Sequence, residues 1–82
     1  MEYELEIKGE AKAALRALPE DVRRQIGFRL HRLQQDLSGD VKKLRGSQNE
    51  YRLRVGNYRV LFEVEGATVV IYRVLHRKDA YK

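Results

Sequence analysis

The sequence predicts an α+β domain of order β-α-α-β-β-β, with an antiparallel sheet packed on one face by a helical hairpin. Three features carry that prediction. Two apolar stripes recur at helical spacing before residue 38, three alternating segments follow residue 50, and turn-forming residues separate them. With 82 residues the chain makes one domain, 1–82. A chain of that length buries only about 60–65% of its unfolded surface, so its apolar positions must be used efficiently.

Residues 3–7, YELEI, alternate: Tyr3, Leu5 and Ile7 share one strand face, and Glu2, Glu4 and Glu6 the other. Residues 10–18, EAKAALRAL, are strong helix formers with Ala11, Ala14, Leu15 and Leu18 on one side. Pro19 ends that helix because proline has no N–H to continue the ladder. Glu20 and Asp21 place acid at the start of the next helix. Val22, Ile26, Leu30, Leu33 and Leu37 then repeat at three- and four-residue steps, and Ser38-Gly39-Asp40 stop the pattern. Residues 41–50 read as a polar connection anchored by Val41 and Leu44. Strands follow at 51–55, 58–64 and 68–75. Gly56-Asn57 suits a two-residue turn, and a second turn falls near Glu65-Gly66-Ala67. The tail HRKDAYK reads as a loop or a single helical turn. The expected core sets Tyr3, Leu5, Ile7, Leu53, Val60, Phe62, Val69 and Ile71 against Leu15, Leu18, Val22, Ile26, Leu30 and Leu33.

The stretch YRLRVGNYR (51–59) raises the functional question. A two-residue turn at 56–57 sets Val55 opposite Tyr58, Arg54 opposite Arg59, Leu53 opposite Val60 and Tyr51 opposite Phe62. One face is then apolar, and the other holds Arg52, Arg54, Arg59, Leu61 and Glu63. Like charges directly opposed are unfavourable unless an anion lies between them. Two anions fit: Glu4 and Glu6, if they share that face, or phosphate, which guanidinium grips through forked hydrogen bonds. Parity in the last strand puts Val70, Tyr72, Val74 and His76 beside the arginines if no bulge intervenes, and Arg73 on the core side at the rim.

Charge points the same way. Residues 1–41 hold seven Lys/Arg and eight Asp/Glu, whereas 42–82 hold ten and four. A basic half of this kind favours a polyanionic partner. With no cysteine, disulfides, thiolate metal sites and cysteine nucleophiles are excluded. Two distant histidines make a weak metal case, and neither a metal nor another cofactor is expected. Without a basic-plus-apolar leader or an apolar run near the ~20 residues of a membrane span, no membrane partner and a cytoplasmic location are expected.

Taken together, YRLRVGNYRVLFEV (51–64), VVIYRVLHRKDAY (69–81), VKKLRG (41–46) and LPEDVRRQI (18–26) resemble the RelE branch of the RelE/ParE toxin superfamily over nearly the whole chain. The resemblance implies the RelE-like fold and a type II toxin that cleaves messenger RNA in the ribosomal A site. It also implies inhibition by a cognate, partly disordered antitoxin, and the basic half of the chain predicts that this partner is acidic. ParE-type relatives share the fold and poison DNA gyrase; a non-catalytic RNA-binding relative is the other alternative. Carried over by position, Arg52, Arg54, Arg59 and Arg77 bind phosphate and stabilise developing charge, and Tyr81 is a candidate base or stacking platform. Lys42, Lys43, Arg45, His76 and Lys78 complete the implied RNA-binding set. Some members carry lysine at the first hairpin positions. Arginine stays charged, so Arg52 and Arg54 cannot readily accept a proton.

Overall fold

The computed structural model describes residues 2–46 and 48–80. The elements are β1 (Glu4–Ile7), α1 (Gly9–Arg16), α2 (Glu20–Asp36), β2 (Val41–Lys43), β3 (Glu50–Val55), β4 (Tyr58–Glu65), β5 (Thr68–His76) and α3 (Arg77–Ala80). They form one five-stranded sheet in the order β1-β5-β4-β3-β2. The helical hairpin covers one face, with α1 against β5 and α2 against β3.

The two stripes meet as their periods require. Phe62, Ile26, Leu33, Leu53, Ile71, Val60 and Val69 are fully buried, and Tyr3, Leu5, Ile7, Leu15, Leu18 and Val22 pack around them. Tyr51 stacks on Phe62 across β3 and β4, with centroids 5.5 Å apart and planes at 17°, a geometry that adds to the burial of both rings. The β3–β4 register matches the expected one at every position from Tyr51↔Phe62 to Val55↔Tyr58. Gly56 supplies the positive φ of the turn, 57°. At the end of α2, Leu37 takes the left-handed conformation (φ 59°) and donates its N–H to the Leu33 carbonyl, closing the helix without a glycine.

Three expectations are corrected. The sheet is mixed: β1 pairs parallel with β5, because the chain crosses under the sheet through both helices before re-entering at the opposite edge. The polar connection contains a short edge strand, β2, antiparallel to β3 with Val41 opposite Leu53 and Lys42 opposite Arg52. Three residues with two lysines give little strand signal, and that composition suits an exposed edge. Third, β5 carries an irregularity. Leu61 pairs with Arg73 but Phe62 pairs with Ile71, so Tyr72 is the extra residue. Beyond it the parity inverts. Val74 joins the core, His76 turns to the helix side with Tyr58, and Arg73 moves to the face opposite the helices. The tail forms a single helical turn, α3.

Candidate functional site

The face turned away from α1 and α2 is built from transverse rows set by strand pairing. Arg54, Arg59 and Leu75 form one row, and Lys42, Arg52, Leu61 and Arg73 the next. Further along come Glu50, Glu63, Val70 and Glu6, then Glu65, Thr68 and Glu4. Cations therefore gather at the end of the β3–β4 turn and carboxylates at the other end. Both halves keep like charges directly opposed: Arg54 with Arg59, and Glu50 with Glu63. Each pairing disfavours the folded state.

Individual placements follow from the rows. Arg59, on the central strand, is only 4% exposed, and its guanidinium donates to the Tyr58 carbonyl at 3.2 Å. Arg54 is exposed. Arg52 is partly covered; its guanidinium lies 3.6 Å from an Asp40 carboxylate oxygen, and its Nε is buried with no hydrogen-bond partner among the described residues. Asp40 is held where it can do this by the Arg54 N–H, which bonds the Asp40 carbonyl at 2.9 Å. Glu4 and Glu6 do share the arginines' face, but β5 separates their strand from β4, and Glu6 pairs with Lys8 at 3.2 Å. They are not the arginines' counter-ions, because β1 joins the sheet at its far edge.

At the other edge Lys42, Lys43, Arg45 and Arg52 line one hollow of about 640 Å³ with Leu44 and Gly46. Arg77 begins α3, and its N–H bonds the Asn57 carbonyl at 2.7 Å, which fixes it beside the turn. His76 is removed from the arginine face by the bulge. It packs edge-on against Tyr58 at 5.2 Å and accepts the Lys78 N–H at Nδ1. Lys78 is exposed on α3. Tyr81 lies outside the described residues. Sequence reasoning missed Arg73 and Asp40: the first needed the bulge to be foreseen, the second a strand at 41–43. Among the described residues no group of three or more His, Asp or Glu is arranged to hold a metal ion.

Tyr72, the extra residue, donates its hydroxyl to Glu50 at 2.9 Å and separates the basic rows from the acidic ones. Partial burial first, then the Glu50 hydrogen bond, pushes the Tyr72 hydroxyl up to about 12. Glu63 is also raised above its ordinary value, first by desolvation, then by its hydrogen bond to and the charge of Glu65, with Glu50 adding to the effect.

Known proteins with this architecture share its sequence as well. A family model described as the ParE toxin of the type II toxin–antitoxin system, parDE, matches residues 5–81. Toxin RelE3 of Methanocaldococcus jannaschii is 43% identical over 72 residues, 82% of each chain. In the crystal structure of a RelB–RelE antitoxin–toxin complex from Methanococcus jannaschii, a chain matches with TM-score 0.80 and 36% identity over 93% of this chain and 94% of that one. A RelE–RelB complex from Pyrococcus horikoshii OT3 matches with TM-score 0.81 and 28% identity, over 94% and 97%. The chain belongs to the ParE toxin family of type II toxin–antitoxin systems, as a RelE-type member of the RelE/ParE superfamily.

Proposed function

We propose that this toxin cuts messenger RNA on the ribosome, through attack of a ribose 2′-hydroxyl on the adjoining phosphate. The observation that carries the reading is the Arg54–Arg59 opposition on the face away from the helices, flanked by Arg52 and Arg73. Four guanidinium groups on neighbouring strands fit a phosphate whose charge grows in the transition state. In that step the 2′-oxygen bonds to phosphorus and the bond to the 5′-oxygen breaks. The products are a 2′,3′-cyclic phosphate and a 5′-hydroxyl, the departing 5′-oxygen taking its proton from water or a ribosomal group. Arg54 and Arg59 contact the phosphate oxygens, and Arg52 supports them from the next row. Arg77 closes the site beside the turn. Arginines stay charged, so the proton of the 2′-hydroxyl goes to another group: Tyr81 or a ribosomal base. Lys42, Lys43, Arg45 and Lys78 carry the flanking RNA backbone.

The toxin's own partner is an acidic, partly disordered antitoxin. Relatives crystallised with RelB support this, as does an apolar hollow of about 360 Å³ lined by Leu5, Ile7, Leu15, Ile26 and Leu30. That hollow accepts apolar anchors while the basic face speeds capture of an acidic chain.

Poisoning of DNA gyrase is the second reading, favoured by the ParE description of the matching family model. A translating extract with primer-extension mapping decides between them. New message ends at toxin excess support cleavage; intact messages with cleaved DNA trapped on gyrase support the second reading. Neither result points to a non-catalytic relative.

A further inference from the structure

We propose that the cleft between α2 and the β3–β4 turn is a second RNA contact, distinct from the arginine rows. It takes one unstacked base on Phe28 and the neighbouring phosphates on Arg29 and Arg32. Phe28 is 57% exposed, the large hydrophobic side chain left open among the described residues. It lies with Gln25, Arg29 and Arg32 on one face of α2, and with Val55 and Gly56 these side chains line a hollow of about 460 Å³. The Arg32 guanidinium carbon sits 6.0 Å from the Phe28 ring centroid, at the edge of cation–π range.

The charge around the ring selects an anion. Neither Arg29 nor Arg32 has a carboxylate within ion-pair distance among the described residues. Glu20 pairs with Arg24, Asp21 stands in the first turn, and Asp36, four residues beyond Arg32, accepts the Ser38 N–H and makes no ion pair with Arg32. An open aromatic ring between two such arginines has the chemistry of single-stranded RNA recognition, where bases stack and guanidinium groups hold the backbone. A docked protein helix fits less well, because it needs several apolar anchors at helical spacing and this cleft offers one ring among polar groups.

Position strengthens the case. Val55 and Gly56 form one wall of the cleft and belong to the same turn that carries Arg54 and Arg59 on its other side. A strand bound along the arginine rows therefore reaches the cleft by passing round that turn. The inference extends the RNA reading above, yet rests on residues that take no part in the chemistry.

The test measures binding of a short fluorescein-labelled single-stranded RNA by anisotropy across a salt series, without ribosomes. The chains compared are the native toxin, Phe28→Ala, Phe28→Leu, Phe28→Tyr, the pair Arg29→Gln with Arg32→Gln, and the pair Arg52→Ala with Arg54→Ala. Losing the stacking ring should weaken binding by about tenfold in both Phe28→Ala and Phe28→Leu, while Phe28→Tyr stays close to native. The Arg29/Arg32 pair should lower the log–log salt slope by about 1.4, for two lost contacts on a single strand. Native-like melting of the cleft variants, expected at these exposed positions, assigns their losses to contact. Full binding and an unchanged slope in the cleft variants overturn the inference, and loss confined to the Arg52/Arg54 pair then leaves the reading of the arginine rows intact. Loss confined to the cleft variants supports the cleft and counts against the rows. No saturable binding by the native toxin overturns the cleft as an RNA contact. An acidic antitoxin segment that loses affinity for the cleft variants while RNA does not would reassign the cleft to protein.

Discussion

Arg54 stands directly across the β3–β4 ladder from Arg59, yet the two differ sharply in environment. Arg54 is exposed, whereas Arg59 is 4% exposed on the central strand. The same chemistry thus sits on two mechanical footings, and substitutions should separate them.

Arg54→Ala should change stability by no more than about 0.5 kcal/mol, as for surface positions. Arg59→Ala should cost about 1–2 kcal/mol, because it empties a buried site and removes a side-chain donor to the Tyr58 carbonyl. Arg59→Met refills the space and removes the charge, so it should recover most of that loss. All three variants should cut message about 10²–10³ more slowly, the usual cost of one charge-stabilising group. Urea titration and a translating extract read the two effects. Full cleavage by folded Arg59→Met would remove Arg59 from the site.

Phe62 is fully buried and stacked on Tyr51. Phe62→Ala should cost about 3–5 kcal/mol, since the cavity is walled by sheet and helix and cannot collapse. For an 82-residue chain that is a large share of the roughly 5–15 kcal/mol a domain possesses. A loss below about 1 kcal/mol in urea titration would contradict the assigned core.

Much of the fold was legible because two periods agree. The Leu53/Val60/Phe62 face and the Ile26/Leu30/Leu33 stripe each match their element and meet in the core. The hairpin register followed from Gly56-Asn57 alone. What was illegible has physical causes. The bulge at Tyr72 leaves no mark on alternation, since Tyr72, Arg73 and Val74 read equally well in either parity, and it moved His76 and Arg73 to opposite faces from those expected. The parallel pairing of β1 depends on the chain's route rather than on local preference. Arg59 reads as a surface residue because arginines are rarely buried; only its place on the central strand, between Arg54 and Leu75, covers it.

The acidic rows give a test that is independent of function. Glu63 faces Glu50, and desolvation together with Glu65 holds it above its ordinary range. A carboxyl raised in the folded state favours folding while protonated and loses that advantage as pH rises through its titration. Glu63→Gln should therefore raise the melting temperature at neutral pH and leave it nearly unchanged at pH ~4, where the native carboxyl is largely protonated. A lower melting temperature at neutral pH would show that Glu63 is engaged by a cation instead.

Tyr72 offers the corresponding test at high pH. Burial and the Glu50 hydrogen bond raise its hydroxyl from 10.0 to about 12. The folded state thus holds a proton that the unfolded chain has released, over the window from about 10 to about 12. Below that window both states are protonated and the stabilisation is complete. Within it the unfolded chain binds fewer protons, so stability falls as pH rises. In a phenolate absorbance titration of the folded protein, Tyr72 should ionise late, near pH 12. Tyr72→Phe should delete that late step and flatten the loss of stability between pH 10 and 12. Glu50→Gln keeps an acceptor but removes the charge, so it should move the step downward without abolishing it. A Tyr72→Phe protein that keeps the late step would show that Tyr72 does not carry it.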